Sequence, residues 1–267
     1  SGECAFRLMQ VLGEIGDPSS VEPMIGVVRA TTDNRALLRA GLNALGLMPP
    51  SPAGFEFARE LLHGDHSADA RQAALIYLAS VRDERAAAIA KEHSADTVEP
   101  GVRAAALLLA ARLGQRQAKP SIMELLETTE DRSQGEVLIR ALGELTTPEE
   151  LRAVASQLPL HRDRPYFKEV YLLVEFRHAE GDRRVELSRR LIEKGHPWDR
   201  REAVESLIEH GPTDVLIEYL QLHPAMGLPL ERSVAYSSAG VPILAQIRRM
   251  GYGIQETPEG FELVRVR

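Results

Sequence analysis

LGEIGDPSSVEPMI, residues 12–25, decides how the rest of this chain is read. An apolar helical segment closes around Leu12, Gly16-Asp17-Pro18 breaks it, and a second helical pattern opens behind the break. Gly accepts the left-handed conformation past a helix end, Pro fits a first turn, and Asp caps exposed N–H groups. The arrangement returns down the chain. Leu12, Leu45, Leu78, Leu109, Leu142, Leu173 and Leu207 each close an apolar helical segment, at spacings of 31 to 34 residues. A period near 33 is the length of a two-helix unit with short turns.

The breaks divide the chain into alternating helices. First helices are predicted at 19–31, 54–63, 84–94, 118–129, 148–158, 182–194 and 213–222. Second helices are predicted at 3–15, 34–47, 67–81, 98–113, 132–145, 164–178 and 198–210. Punctuation falls between them at Pro49-Pro50, Gly64-Asp65, Gly114, Thr147-Pro148, Gly181-Asp182, Gly195-His196-Pro197 and Gly211-Pro212. A single helix pair cannot hide its apolar stripe, but stacked pairs bury one continuous core.

Composition agrees with packed helices. Hydrophobic residues make up 44% of the 267 and aromatics only 5%, so the interior is built from Leu, Ala, Val and Ile. The net charge is −7, and each of the segments 1–48, 49–147, 148–211 and 212–267 holds more acidic than basic side chains. That argues against nucleic acid as a partner, because phosphate binding runs on clustered Lys and Arg. Cys4 is the one cysteine, so no intrachain disulfide staples the fold. No run of 18 apolar residues exists, and no membrane span is expected. Cytoplasmic location is the default expectation. The opening SGEC has the look of a trimmed N-terminus, which a leader or further domain could precede.

The Ala-Leu-Gly endings at 44–46 and 141–143, the LGEIGDP turn at 12–18, and Asp-before-Arg openings of second helices together carry a family resemblance. Those openings are Asp33 with Arg39, Asp69 with Arg71, Asp96 with Arg103, and Asp199 with Arg200 and Arg201. Over about residues 1–211 the chain resembles the HEAT-like repeat family, in particular the type first named from phycobilisome lyases. The resemblance implies an all-α fold, a right-handed α-α superhelix whose second helices line a concave face. It implies little about activity, since such repeats serve scaffolds, adaptors, lyase subunits and a few enzymes. The expected domains are a solenoid of about seven helical pairs over 1–227 and a C-terminal cap over 228–267.

Counting from each repeat Leu, the positions three and four before it are mostly apolar and belong to the core. Positions six before, two before and two after form an i, i+4 stripe on another face. Candidate partner-binding residues are drawn from that stripe. They are Arg39 and Asn43, then Gln72, Arg103, Glu136 and Arg140, then Phe167, Tyr171 and Glu175, and finally Arg201 and Glu205. Aromatic and Arg anchors in a polar surround suit protein recognition. Two other readings stand beside this one: Phe167 and Tyr171 in the core of a slightly shifted register, and the arginines in an Asp–Arg ladder between neighbouring turns. If the stripe lines the groove, replacing Tyr171 and Arg140 with Ala should spare the fold.

Constellations for chemistry are sparse. His63, Asp65, His66 and Asp69 are the densest group of metal-type side chains, but their spacing fits no closed zinc pattern and they occupy an inter-helix turn. Trp198 and Asp199 invite comparison with the DNA alkylation repeat glycosylases. Being adjacent, they would point about 100° apart on a helix, and Asp199 reads better as a first-turn cap. No phosphate loop, nucleophile elbow, paired-cysteine site or HExxH motif is present. The expectation is a noncatalytic scaffold or adaptor for a protein or peptide, with no cofactor and no metal. The alternatives are a bilin-lyase-like subunit of a modifying enzyme, or nucleic-acid binding through the C-terminal module.

That module breaks the period. GVPILAQIRRMGYGI (240–254) predicts a short helix ending at Gly251, and QETPEGFELVRV predicts a hairpin with TPEG as its turn. The alternation slips between Leu263 and Val264, which predicts a bulge there. A second reading takes 213–266 as a degenerate winged helix, with Arg248 and Arg249 as its few basic contacts.

Overall fold

The computed structural model describes residues 5, 8–9, 12–13, 16–96, 98–158, 161, 164–194, 196–211, 246–247, 250–257 and 260–266. The expected helix at 213–222, the boundary at 227, the basic pair 248–249 and the tip of the TPEG turn lie outside them. Two compact units emerge. The first is Ser1–Gly13 with Asp17–His178, and the second is Glu14–Gly16 with Ala179–Arg267.

The first unit is an all-α solenoid stack. Residues 5–13, where described, are helical. Then come α1 (Val21–Arg29), α2 (Arg35–Gly46), α3 (Pro52–His63), α4 (Ala68–Val81) and α5 (Ala87–His93). They are followed by α6 (Pro100–Arg112), α7 (Lys119–Thr128), α8 (Arg132–Glu144), α9 (Pro148–Ala155) and α10 (Pro165–His178). Single 3-10 turns at Pro18–Ser20, Glu84–Ala86 and Arg116–Ala118 lead into α1, α5 and α7.

Local chemistry sets these limits. Asn34, Ser51, Ser67, Asp131 and Thr147 each accept a backbone N–H in the first turn of α2, α3, α4, α8 and α9, and Thr147 with Glu150 forms a capping box. Pro52, Pro100 and Pro148 open α3, α6 and α9, where a missing N–H costs nothing.

The even-numbered helices form an unbroken row, each packed on the next from α2 to α10. Among the odd-numbered helices the packing in the described residues is weaker, and it is clearest between α1 and α3. The even helices are thus the tightly packed row of this unit, called its inner row. They run parallel. Arg35 and Asp69, at the starts of α2 and α4, pair at 2.9 Å, while the ends of α6, α8 and α10 meet at Glu144. The repeat leucines mark equivalent places along it: Leu45, Leu78, Leu109, Leu142 and Leu173 are buried near the ends of successive even helices.

Close approach along the row needs small residues. A Cβ on Gly41 of α2 would fall 2.1 Å from Val28 Cγ2 and 3.1 Å from Met9 Sδ. Helix α6 is the extreme case, with all ten residues from Val102 to Ala111 buried. Five of them are alanine, and α4, α5, α7 and α8 surround them.

The second unit contains the helical hairpin α11 (Gly181–Lys194) and α12 (Pro197–His210), with strands β1 (Tyr252–Thr257) and β2 (Gly260–Arg265). Among its described residues, Leu187, Leu191, Ile192, Ala203, Val204, Leu207, Ile208 and Ile247 are the buried apolar side chains. Buried Gln246 donates to the Arg201 carbonyl at 2.9 Å. The strands pair antiparallel, one residue to one, from Tyr252↔Arg265 to Thr257↔Gly260. The bulge expected between Leu263 and Val264 is therefore absent. Those two residues pair consecutively with Ile254 and Gly253, and the slip in alternation leaves the ladder unbroken.

Candidate functional site

The inner row is where the chain brings its candidate side chains together. On α2, Arg39 and Asn43 are exposed. On α4, Gln72 is half-buried and lies over the next rung: a Cβ added at Gly101 would sit 3.3 Å from its Oε1. On α8 Glu136 is half-buried, and on α10 Tyr171 and Glu175 are half-buried. Arg152 of α9 hydrogen-bonds the Tyr171 hydroxyl and stacks 5.4 Å from its ring centroid. Arg201 and Glu205 lie on α12 in the second unit and pair with each other at 3.0 Å.

Three candidates are inside rather than on the surface. Arg103 is 7% exposed, bridged to Asp96 and donating to the Ser94 carbonyl at 3.3 Å. Arg140 is 6% exposed and lies 3.9 Å from Glu136 and 3.7 Å from Glu169. Phe167 is 6% exposed and belongs to the apolar core. The expectation that Arg140→Ala would spare the fold is therefore corrected, since the change would remove a buried, packed stem and take the guanidinium away from Glu136 and Glu169. Leu107 and Ala111, on the same stripe, are buried too. The i, i+4 spacing located one face of each helix, but it could not register that alanine-rich α6 is enclosed by α4, α5, α7 and α8.

Two ionic lines run along the row. At the helix starts, Arg35 pairs with Asp69, Arg71 with Glu99 at 2.6 Å, and Arg103 with Asp96. At the helix ends, Glu144 is the focus. Its Oε1 accepts from Arg112 Nε at 3.1 Å and Arg177 Nη2 at 3.2 Å, and Arg177 Nη1 and Arg82 Nη2 lie 3.1 and 3.5 Å from its Oε2. Burial alone would push this carboxyl up, yet Arg112, Arg177 and Arg82 hold it below the usual carboxylate range. Arg112 Nη1 also donates to the Ala79 carbonyl at 3.3 Å, at the carbonyl end of α4. Glu144 lies on the predicted stripe, two after Leu142, without being singled out, and the three arginines lie off it, although charged residues at 82, 112, 144 and 177 recur at nearly the repeat spacing.

The histidine-rich turn is used for helix starting. Ser67 caps α4, Asp69 pairs with Arg35, and the His66 carbonyl accepts from Arg71 at 3.0 Å. Among the described residues, no group of three or more His, Cys, Asp or Glu side chains is placed to hold a metal ion. Among them, too, no helix is long and apolar enough to cross a membrane. Asp199 is buried in the first turn of α12.

Another buried polar group is His161. Its Nε2 donates to the Leu126 carbonyl at 3.0 Å, which fixes Nδ1 as the acceptor of the Tyr166 hydroxyl at 2.7 Å. The pair closes over Gly135, where a Cβ would lie 2.8 Å from the imidazole Cε1. The Leu126 carbonyl belongs to the last turn of α7, so His161 satisfies a helix-end acceptor.

The chain matches no protein-family model and no curated protein with which it was compared.

Proposed function

We propose that this is a HEAT-like repeat protein working as a noncatalytic scaffold or adaptor, with a protein or peptide held along the inner row of the first unit. The observation that carries this reading is the distribution of side chains on the row. Arg39, Asn43, Gln72, Glu136, Tyr171 and Glu175 lie exposed or half-buried on α2, α4, α8 and α10. They offer hydrogen-bond donors, acceptors and one tyrosine ring above a floor that is already packed, which suits an extended segment read side chain by side chain. The buried Arg103 and Arg140 have a supporting part in this reading, fixing the rungs to each other.

Site-specific photo-crosslinking tests it. A photoreactive residue at Asn43 or Gln72 should give protein adducts in extract of the source cell, and one at Glu22 of α1 or Glu127 of α7 should not. Equal labelling from both rows, or adducts with nucleic acid alone, would overturn the proposal.

A further inference from the structure

We propose that Glu144 is a clasp that couples four successive inner helices, so that the α4–α10 segment holds its curvature and opens as one block. Repeat stacks ordinarily couple nearest neighbours only, because each hairpin touches just the one before and the one after. Glu144 departs from that rule. From the last residue of α8 it contacts Arg112 at the end of α6, Arg177 near the end of α10, and Arg82 just past α4, two repeats away.

The environment makes the contact strong where it is central and adjustable where it is peripheral. The Glu144 and Arg112 side chains are almost wholly buried, at 9% and 5% exposure, while Arg82 is half exposed. A carboxylate at a helix C-terminus opposes the helix dipole, and parallel helices place several carbonyl ends beside it. Its place there depends on the guanidiniums around it.

The backbone at Arg82 is an independent observation. Among the described residues of the first unit, one other left-handed residue follows a helix: Gly114, at φ 74°, after α6. After α4 the left-handed position, at φ 52°, is Arg82, the one such non-glycine among the described residues. A side chain there costs about 1 kcal/mol relative to glycine. A residue serving only as a cap would be better as Gly; one that must reach Glu144 cannot be.

Hydrogen exchange read by mass spectrometry on the full chain tests the coupling, with wild type, Glu144→Gln, Arg82→Gly and Leu142→Ala compared under native conditions. Leu142→Ala weakens α8 without touching the clasp. The clasp requires Glu144→Gln to speed exchange at the end of α4 at least about tenfold, beyond what Leu142→Ala causes there. It requires Arg82→Gly, despite its relaxed backbone, to speed exchange in the last turn of α8 about threefold, as loss of a half-exposed ion pair would. If α4 keeps its protection in Glu144→Gln, or if Arg82→Gly leaves α8 unchanged or better protected, Glu144 is a local cap and the proposal fails. Should Glu144→Gln not fold, the Arg82→Gly comparison decides alone.

Discussion

Replacing Gly41 with alanine sets two effects of opposite sign against each other, and the packing fixes which wins. In an exposed helix interior, Gly→Ala stabilises by about 1 kcal/mol. Gly26 of α1 is such a place, since nothing lies within 4 Å of an added Cβ. At Gly41 the new methyl would sit 2.1 Å from Val28 Cγ2, a separation no pair of carbons tolerates. Val28 is fully buried and β-branched, with one preferred rotamer in a helix, so it cannot swing aside. The α1–α2 pair has to separate instead, at an overpacking cost of about 1–3 kcal/mol. Relative to Gly26→Ala, then, Gly41→Ala should be worse by the overpacking cost, about 1–3 kcal/mol, a urea midpoint difference on the order of 1 M followed by circular dichroism. Adding Val28→Ala to Gly41→Ala should restore part of the loss, giving a coupling above about 1 kcal/mol in the double-mutant cycle. Equal gains from the two glycine replacements would refute the inferred contact between α1 and α2.

Two further outcomes follow from the buried polar groups. Because the Glu144 carboxyl is depressed in the folded state, its contribution is full above the ordinary carboxylate value near 4.5 and is lost as pH falls through its lower folded value. Wild type should therefore shed stability on acidification across that window while Glu144→Gln shows a flatter profile there; parallel profiles from melting curves at stepped pH would contradict the assignment. Replacing His161 with Phe leaves both the Leu126 carbonyl and the Tyr166 hydroxyl without their partner. It should cost about 1–3 kcal/mol in denaturant unfolding, and a subsequent Tyr166→Phe should add little. Additive losses would mean the two side chains do not act as a pair.

Much of the first unit was legible from local rules. The repeat leucines from Leu45 to Leu207 fall near the ends of helices, and the Ser, Thr, Asn and Asp at the breaks take up the capping work their chemistry suggests. Such signals are short-range, so one strand of text carries them. The site was less legible for a physical reason. Whether Arg103 or Arg140 meets water depends on the lengths of side chains one repeat away, and whether Phe167 is core depends on a register the period fixes only to within a residue. The cluster at Glu144 needed contact between residues 62 positions apart, Arg82 and Glu144, which no nearest-neighbour pattern expresses. The expected bulge failed because side-chain alternation records which face is apolar, whereas the ladder follows backbone pairing.

Helix α6 carries a consequence for how the stack could be shortened or duplicated. With Val102 to Ala111 all buried, it has no polar face to offer at a terminus, and a chain cut after Leu113 would leave Leu108 and its alanines with missing neighbours. By contrast α2, with Arg35, Ala36, Arg39 and Asn43 exposed, already tolerates water along one flank. Any natural or engineered change in repeat number therefore has to fall outside the middle pair, because this rung can only ever be an interior one.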